Sequence, residues 1–333
     1  MPKETICLGI ESTAHTFGAS IVKGKKVLSN LKDTYTTEKG GIIPIEAAKH
    51  HEKIKDKIVK EALDRACVNI DDINIIAFSQ GPGLAPCLLQ GLSIAKELAK
   101  KLKILLIPVN HCISHLEIGR MICDVKDPVL LYCSGANTQI ISYAGKKYRI
   151  FGETLDIGIG NFIDSFARHC GMGFPGGPKI AELAKKSNNF IELPYSVKGM
   201  DVAFSGMLTN LKQKYDSGKY KIDDLAFSLQ ETAFAMLVEV SERAIAHLNK
   251  KELLLGGGVA CNTRLQEMCR IMCKERKAKF FCPQNEFLVD NAAMIAWTGI
   301  LMYEKGKISI KDIDKADIKP YERTDDVEVK WLR

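Results

Sequence analysis

The chain has 333 residues, enough for one large domain or two medium ones with cores of their own, and its 46% hydrophobic and 26% charged content is that of an ordinary globular protein. No apolar run reaches membrane-spanning length and the N-terminus lacks the charged-then-apolar layout of a signal peptide, so neither secretion nor a membrane is expected, and a cytoplasmic protein is. The net charge of +7 permits a nucleic-acid partner without requiring one, since many lysines fall on polar helix faces.

Residues 5–10 read as a strand, the polar stretch 11–18 as a turn, and 19–22 as a returning strand. Lys23-Gly24-Lys25 is a hairpin signal, and 27–34 make a third strand. An amphipathic helix follows over about 45–66, a buried strand over 73–79, the turn Gln80-Gly81-Pro82-Gly83, and a helix over 84–102 with Lys100, Lys101 and Lys103 where cations suit the dipole. Ile104 to Ile107 is a short buried strand, and the segment from Asn110 onward is helical. Asp127-Pro128 then breaks the pattern.

After the break the order repeats. Residues 129–133 form a strand, Ser134-Gly135-Ala136-Asn137 a turn, 138–143 a strand, Gly145-Lys146 a turn and 147–151 a strand. An inserted region, about 156–223, carries a helix from about Asn161, a glycine-rich loop over 171–178 and an irregular stretch over 193–205. A long helix over 224–249, a strand at 253–255, the turn Gly256-Gly257-Gly258, a helix over 260–274, a strand at 280–283 and a helix over 290–303 complete the chain. The matched order predicts an α/β fold of two similar lobes facing each other across a cleft, residues 1–127 with about 291–333 in one lobe and 128–290 in the other. Four hairpin and glycine-rich turns would line that cleft. Their exposed N–H groups favour a bound nucleotide.

The eleven cysteines are odd in number and scattered, with no C-x-x-C pair, which suits reduced thiols in a reducing compartment. The metal candidates are histidines. His111 and His115 lie four apart, on one helix face, so both imidazoles can reach one ion. The same spacing serves metallopeptidases, but there a glutamate directly follows the first histidine as general base, and here Cys112 does. Asp290 opens its helix, and on helix arithmetic alone it reads as an acid complementing the dipole, but the duplication also puts it at the matching place of the second lobe, across the cleft. Two histidines and one carboxylate leave coordination positions open, which serves catalysis rather than structure.

Several runs carry a resemblance to a known family. They are Gly9 to Gly18, reading Gly-Ile-Glu-Ser-Thr-Ala-His-Thr-Phe-Gly, Gln80-Gly81-Pro82-Gly83, Asn110-His111 to His115, Tyr132-Cys133-Ser134-Gly135-Ala136, Asp164 in its helix, Gly173-Phe174-Pro175-Gly176-Gly177, Phe204-Ser205-Gly206, Gly256 to Asn262, and Asp290-Asn291-Ala292-Ala293-Met294. Together they resemble the tRNA N6-adenosine threonylcarbamoyltransferase family, in the form of its archaeal branch, the catalytic subunit of the KEOPS complex. The resemblance covers nearly the whole chain. It implies a duplicated actin/Hsp70-like ATPase (ASKHA) fold. It implies transfer of a threonylcarbamoyl group from threonylcarbamoyl-adenylate to the exocyclic amine of the adenosine 3′-adjacent to the anticodon, in tRNAs reading ANN codons, with release of AMP.

The resemblance also implies one divalent metal per subunit, iron or zinc, on His111, His115, Tyr132 and Asp290. It implies substrate and adenine-nucleotide contacts (threonylcarbamoyl-adenylate, or ATP) from Tyr132, Cys133, Ser134, Gly135, Ala136, Asp164, Gly177, Glu182 and Asn262. The implied partners are tRNA and the other KEOPS subunits, including a small atypical protein kinase and a dimerising subunit. In some archaea transferase and kinase are fused, so the chain reads equally as the transferase part of a fusion. The acceptor amine must lose a proton as the new bond forms, and Glu11 is the first candidate base, His15 the second. Rival readings are a metalloendopeptidase, a small-molecule kinase on the same fold and a non-catalytic nucleotide-dependent scaffold.

Overall fold

The computed structural model describes residues 4–38, 41–310 and 312–332. The chain opens with a hairpin pair, β1 (Ile6–Glu11) and β2 (Thr16–Lys23), followed by β3 (Lys26–Thr34), helix α1 (Pro44–Ala66), β4 (Ile75–Gly81), α2 (Ala85–Leu102), β5 (Leu105–Asn110) and α3 (His111–Cys123). All six residues of β1 are buried. That strand is central, antiparallel to β2 and parallel to β4, so its continuous apolar run is what a strand covered on both faces requires.

The second half begins with β6 (Val129–Cys133), β7 (Thr138–Ala144) and β8 (Lys147–Glu153). The inserted region holds α4 (Ile159–His169), α5 (Gly177–Ala184), the two-residue strands β9 (Val197–Lys198) and β10 (Asp201–Val202), and α6 (Ser205–Asp216). Then come α7 (Ile222–His247), β11 (Glu252–Gly256), α8 (Thr263–Glu275), β12 (Lys279–Phe281), α9 (Asn285–Leu288) and α10 (Ala292–Leu301). The first sheet runs β3-β2-β1-β4-β5 and the second, read from its matching edge, β8-β7-β6-β11-β12. The two orders correspond strand for strand, so the duplicated α/β fold expected from the sequence is the one observed.

Helix α3 lies where the two halves meet. It shares one hydrophobic core with strands of both sheets, Ile107 and Val109 on one side and Leu130, Tyr132 and Leu254 on the other. Helix α10 closes that core. All ten of its residues are buried, which is why its sequence is apolar on every face.

Local readings are corrected in four places. The first residue of α10 is Ala292, because Asn291 caps it by accepting the Met294 N–H. Asp290 therefore stands in the approach to the helix and not at its start. Helix α8 starts at Thr263 behind the cap Asn262, and residues 258–261 form a separate 3-10 turn. The short α9 occupies a segment that reads as loop. Helix α6 starts at the end of the stretch that reads as irregular. Its start is set by Asp156, 48 residues back, whose carboxylate accepts the Phe204 N–H at 2.9 Å and the Ser205 N–H at 2.9 Å.

Burial pushes the Asp156 carboxyl up, but the Phe204, Ser205 and Ile157 N–H bonds outweigh it and hold the group below the usual 3.8. Asp156→Ala is expected to cost about 1–2 kcal/mol in urea unfolding at neutral pH, the worth of a good cap. A carboxyl held low in the fold contributes stability above its unfolded value and loses it as the pH falls through the folded one. The gap between variant and parent should therefore close as the pH drops below 3.8.

Candidate metal and nucleotide site

Asn110 ends β5 and caps α3, its Oδ1 accepting the Ile113 N–H at 3.2 Å. This fixes His111 as the first residue of the helix and puts His115 one turn on. The two rings lie edge to face with centroids 4.9 Å apart. The Asp290 carboxylate meets both, with Oδ1 at 3.4 Å from His111 Nε2 and 3.3 Å from His115 Nε2. One ligand atom from each of the three lies within 4.8 Å of the others. The helix thus brings two nitrogens and the approach to α10 brings one oxygen to a single point.

The surroundings fit a cation there. Tyr132, near the end of β6, places its ring 5.0 Å from that of His115, and its buried hydroxyl has no hydrogen-bond partner. An orphaned polar atom of this kind is costly unless a bound group satisfies it. The charge balance points the same way. Burial alone would lower the His111 imidazole, yet the Glu11 and Asp290 carboxylates hold it well above the usual range. Burial lowers His115, against the opposing pull of its hydrogen bond to the Asp290 carboxylate. Asp290, which burial would raise, is held well below the carboxylate range by the two histidines.

Glu11 sits at the end of β1 and is fully buried. Its Oε1 accepts the Thr13 N–H at 2.7 Å, and its Oε2 lies 3.0 Å from His111 Nδ1. A carboxylate on the far nitrogen of a ligating imidazole fixes its tautomer and ring angle. His15 lies elsewhere in the same turn, edge-on to the Phe174 ring at 5.1 Å between centroids, with its Nδ1 buried and unpartnered.

Three backbone segments pack together beside this centre. In the Ser134–Asn137 turn the Ser134 N–H donates to Asn137 O, and the first turn of α4 donates to the turn's carbonyls, Gly160 N–H to Ser134 O at 3.1 Å and Asn161 N–H to Gly135 O at 2.9 Å. A Cβ on Gly158 would stand 2.4 Å from Ala136 O. Gly257, at φ +90°, closes the cluster from the end of β11, where a Cβ would stand 2.3 Å from Cys133 O. Cys133 turns its side chain into the core and offers the site only backbone.

The other implied contacts are arranged unevenly. Asp164 Oδ1 accepts Gly176 N–H at 2.8 Å and Gly177 N–H at 3.3 Å, fastening the glycine-rich loop to α4. Asn262 spends its Oδ1 on the Arg264 N–H and one amide N–H on Gln230 Oε1. The Glu182 side chain is exposed and paired with Lys185 at 2.6 Å. One residue of the site carries no signal in the sequence. Lys32 Nζ on β3 donates to Asp290 O at 3.3 Å, while Asn30 Oδ1 lies 3.4 Å from Ala293 N. Both point from one strand face toward the segment that holds the carboxylate.

A family model for tRNA N6-adenosine threonylcarbamoyltransferase matches residues 26–297. The chain is 56% identical over 326 residues to a protein of that name from Thermococcus kodakarensis, with 98% of this chain and 99% of the relative covered. It is 51% identical to a probable bifunctional tRNA threonylcarbamoyladenosine biosynthesis protein of Methanosarcina mazei, where it covers 99% of its own length and 60% of the relative's. Among solved structures it resembles T. kodakarensis HypF, with a TM-score of 0.65 at 14% identity over 91% of this chain and 48% of that one. It also resembles the activator of 2-hydroxyisocaproyl-CoA dehydratase from Clostridium difficile with bound ADPNP, with a TM-score of 0.55 at 10% identity over 91% and 97%. At such identities the likeness is one of fold, and it agrees with the actin/Hsp70-like ATPase architecture.

Proposed function

The chain belongs to the tRNA N6-adenosine threonylcarbamoyltransferase family and is a transferase, and from that premise we propose that the His111–His115–Asp290 centre and the turns beside it carry out the transfer. The observation that carries this reading is the meeting of two α3 imidazoles with the Asp290 carboxylate next to the orphaned Tyr132 hydroxyl. His111, His115, Asp290 and Tyr132 would hold a divalent ion, iron or zinc. Such an ion supplies Lewis-acid polarisation of the donor's carbonyl or phosphate oxygen.

The donor is threonylcarbamoyl-adenylate, a mixed anhydride. The exocyclic amine of the tRNA adenosine attacks its carbonyl carbon, the C–O bond to phosphate breaks, and AMP leaves. The backbone N–H groups of Gly135 and Ala136 suit the phosphate. Asp164, with Oδ1 committed to the glycine-rich loop, keeps its second oxygen for a ribose hydroxyl. Gly177 opens α5 where that loop ends, and Asn262 has left over the part of its amide that capping and the bond to Gln230 do not use. Glu182 belongs here only through an exposed side chain, so its contact would have to form on binding.

The bonds around Glu11 suit the orienting of His111 better than base work, which leaves His15 as the acceptor of the amine proton. Glu11→Gln is expected to leave the fold intact and to weaken metal binding about 10–100-fold, as losses of an orienting carboxylate do. Competition with a chelator measures it.

The matched part is 60% of the bifunctional relative, which joins it to further length. KEOPS subunits, with a small kinase and a dimerising subunit, are the partners proposed for the transfer. Among the described residues no helix is long and apolar enough to cross a membrane. The test is reconstitution with unmodified tRNA, threonine, bicarbonate, ATP and a threonylcarbamoyl-adenylate synthase, with those partners supplied. Threonylcarbamoyl-adenosine in the digested tRNA is expected. Its absence with every partner present overturns the reading.

A further inference from the structure

Six residues after His111, α3 carries a second buried acid. Glu117 is 2% exposed. Its Oε1 accepts the Tyr148 hydroxyl at 2.5 Å and the Trp331 indole N–H at 2.7 Å, and its Oε2 accepts Arg120 Nη1 at 3.2 Å. Its main-chain carbonyl accepts the Trp297 indole N–H at 3.1 Å. The chain has only two tryptophans, and both indoles end on this one residue. The donors come from β8 of the second sheet, from the C-terminal segment, from the next turn of α3 and from α10.

The C-terminal segment reaches this point by crossing both halves of the molecule. The Lys319 N–H donates to Gln80 O at 2.8 Å, and Glu322 Oε2 accepts the Asn110 amide at 3.1 Å, both in the first half. Arg323 pairs with Glu153 at 3.1 Å, and Leu332 O accepts the Tyr143 hydroxyl at 3.4 Å, both in the second. Trp331 is therefore the end of a strap that touches both sheets before gripping α3.

We propose that Glu117 is a positioning residue for the His111–His115–Asp290 centre: with Trp331 it fixes the rotation of α3 about its own axis and so sets where the two imidazoles point. The proposal rests on the metal reading above. Residues two apart on an α-helix stand about 200° apart around its axis, so Glu117 grips the side of α3 away from His115. The Asn110 cap fixes where the helix begins, but one cap does not stop a helix from turning. A turn of about 10° would carry a ring nitrogen at the helix periphery by about 1 Å, several times the ±0.2 Å or so that metal ligation tolerates. The bonds to Glu117 from outside α3 come from three separate elements, Trp331 and Tyr148 to the carboxylate and Trp297 to the carbonyl. They resist that rotation from different directions.

Titration of the metal-free full chain with Zn2+ tests this, read by tryptophan emission and by competition with a chromophoric chelator. Zn2+ has no redox or d-electron spectrum of its own, so an emission change reports the indoles at Glu117. Saturable change is expected in the parent protein, because coupling between two places is reciprocal. Glu117→Gln is expected to weaken Zn2+ binding about 10-fold. Trp331→Phe keeps the ring and loses one donor, and should weaken it about threefold. Leu211→Ala, a core truncation in the inserted region far along the chain from α3, should lower the melting temperature and leave Zn2+ affinity unchanged. Parental affinity in both Glu117→Gln and Trp331→Phe overturns the proposal, and if Glu117→Gln does not fold, Trp331→Phe decides alone. A parent protein that binds neither Zn2+ nor Fe2+ overturns the metal reading itself, and the proposal with it.

Discussion

Asp290→Ala should abolish stoichiometric metal and slow threonylcarbamoyl transfer about 1,000-fold, equivalent to about 4 kcal/mol of barrier at 1.36 kcal/mol per decade. Among the described residues the carboxylate is the one group that faces both imidazoles, at 3.4 Å from His111 and 3.3 Å from His115. Its loss leaves two imidazoles on one helix and the Tyr132 hydroxyl, with no carboxylate ligand to balance the ion's charge. His115→Ala should do comparable damage, and the double variant should be no worse than either single one, because the groups act as a unit. Stability gives a second readout. A metal that binds only the folded chain stabilises it by about 4 kcal/mol at a thousandfold excess over Kd. The parent melting temperature should therefore rise with added Zn2+, and that of Asp290→Ala should not. Full transfer and a full complement of metal in Asp290→Ala would sink the assignment of the centre.

The frame of this molecule is legible because its strands are buried on both faces and its turns are polar. Periodicity and turn chemistry alone recover the strands of the two five-stranded sheets and their matched order along the chain. The histidine pair is legible for a local reason, a spacing of four. Asp290 is legible only through the duplication, which supplies the opposite lobe's equivalent of a known position. What stays hidden is whatever depends on a bond between distant residues. Nothing near Phe204 announces that Asp156 will cap α6. Nothing near Glu11 announces that His111, 100 residues on, will take its second oxygen. Lys32 reads as a solvated strand lysine until the segment before α10 is laid against β3. Tyr132, Asp164, Glu182 and Asn262 stand out by family resemblance and by no pattern of their own. The geometry gives three of them specific surroundings, whereas Glu182 has a surface ion pair.

Gly257→Ala is the second large effect expected, and it separates the phosphate turn from the metal. The residue combines two demands that only glycine meets together. Its backbone lies at φ +90° and ψ +159°, a region open essentially to glycine alone. A Cβ there would also stand 2.3 Å from Cys133 O and 3.0 Å from Ser134 N, both backbone atoms that cannot swing aside. Relief must come from moving β6 away from the end of β11, and β6 carries Tyr132 into the turn at Ser134. The expected result is a loss of about 2–4 kcal/mol in stability, strain and overpacking together. At a temperature where the variant is folded, the KM for the adenylate donor should rise at least 10-fold or so, the loss of about one charge-assisted hydrogen bond. Metal content should stay near the parental level, since three of the four proposed ligands, His111, His115 and Asp290, lie off β6 and need not move with it. Gly206→Ala is the control. That glycine sits in the first turn of α6, has no positive φ, and a methyl group added to it would meet no atom within 4 Å, so alanine should be neutral or slightly stabilising. If Gly257→Ala loses stability but binds the donor as the parent does, the phosphate lies elsewhere in the cleft. If it loses metal along with donor affinity, the turn and the metal centre are one mechanical unit, and the separate roles given to them here fail.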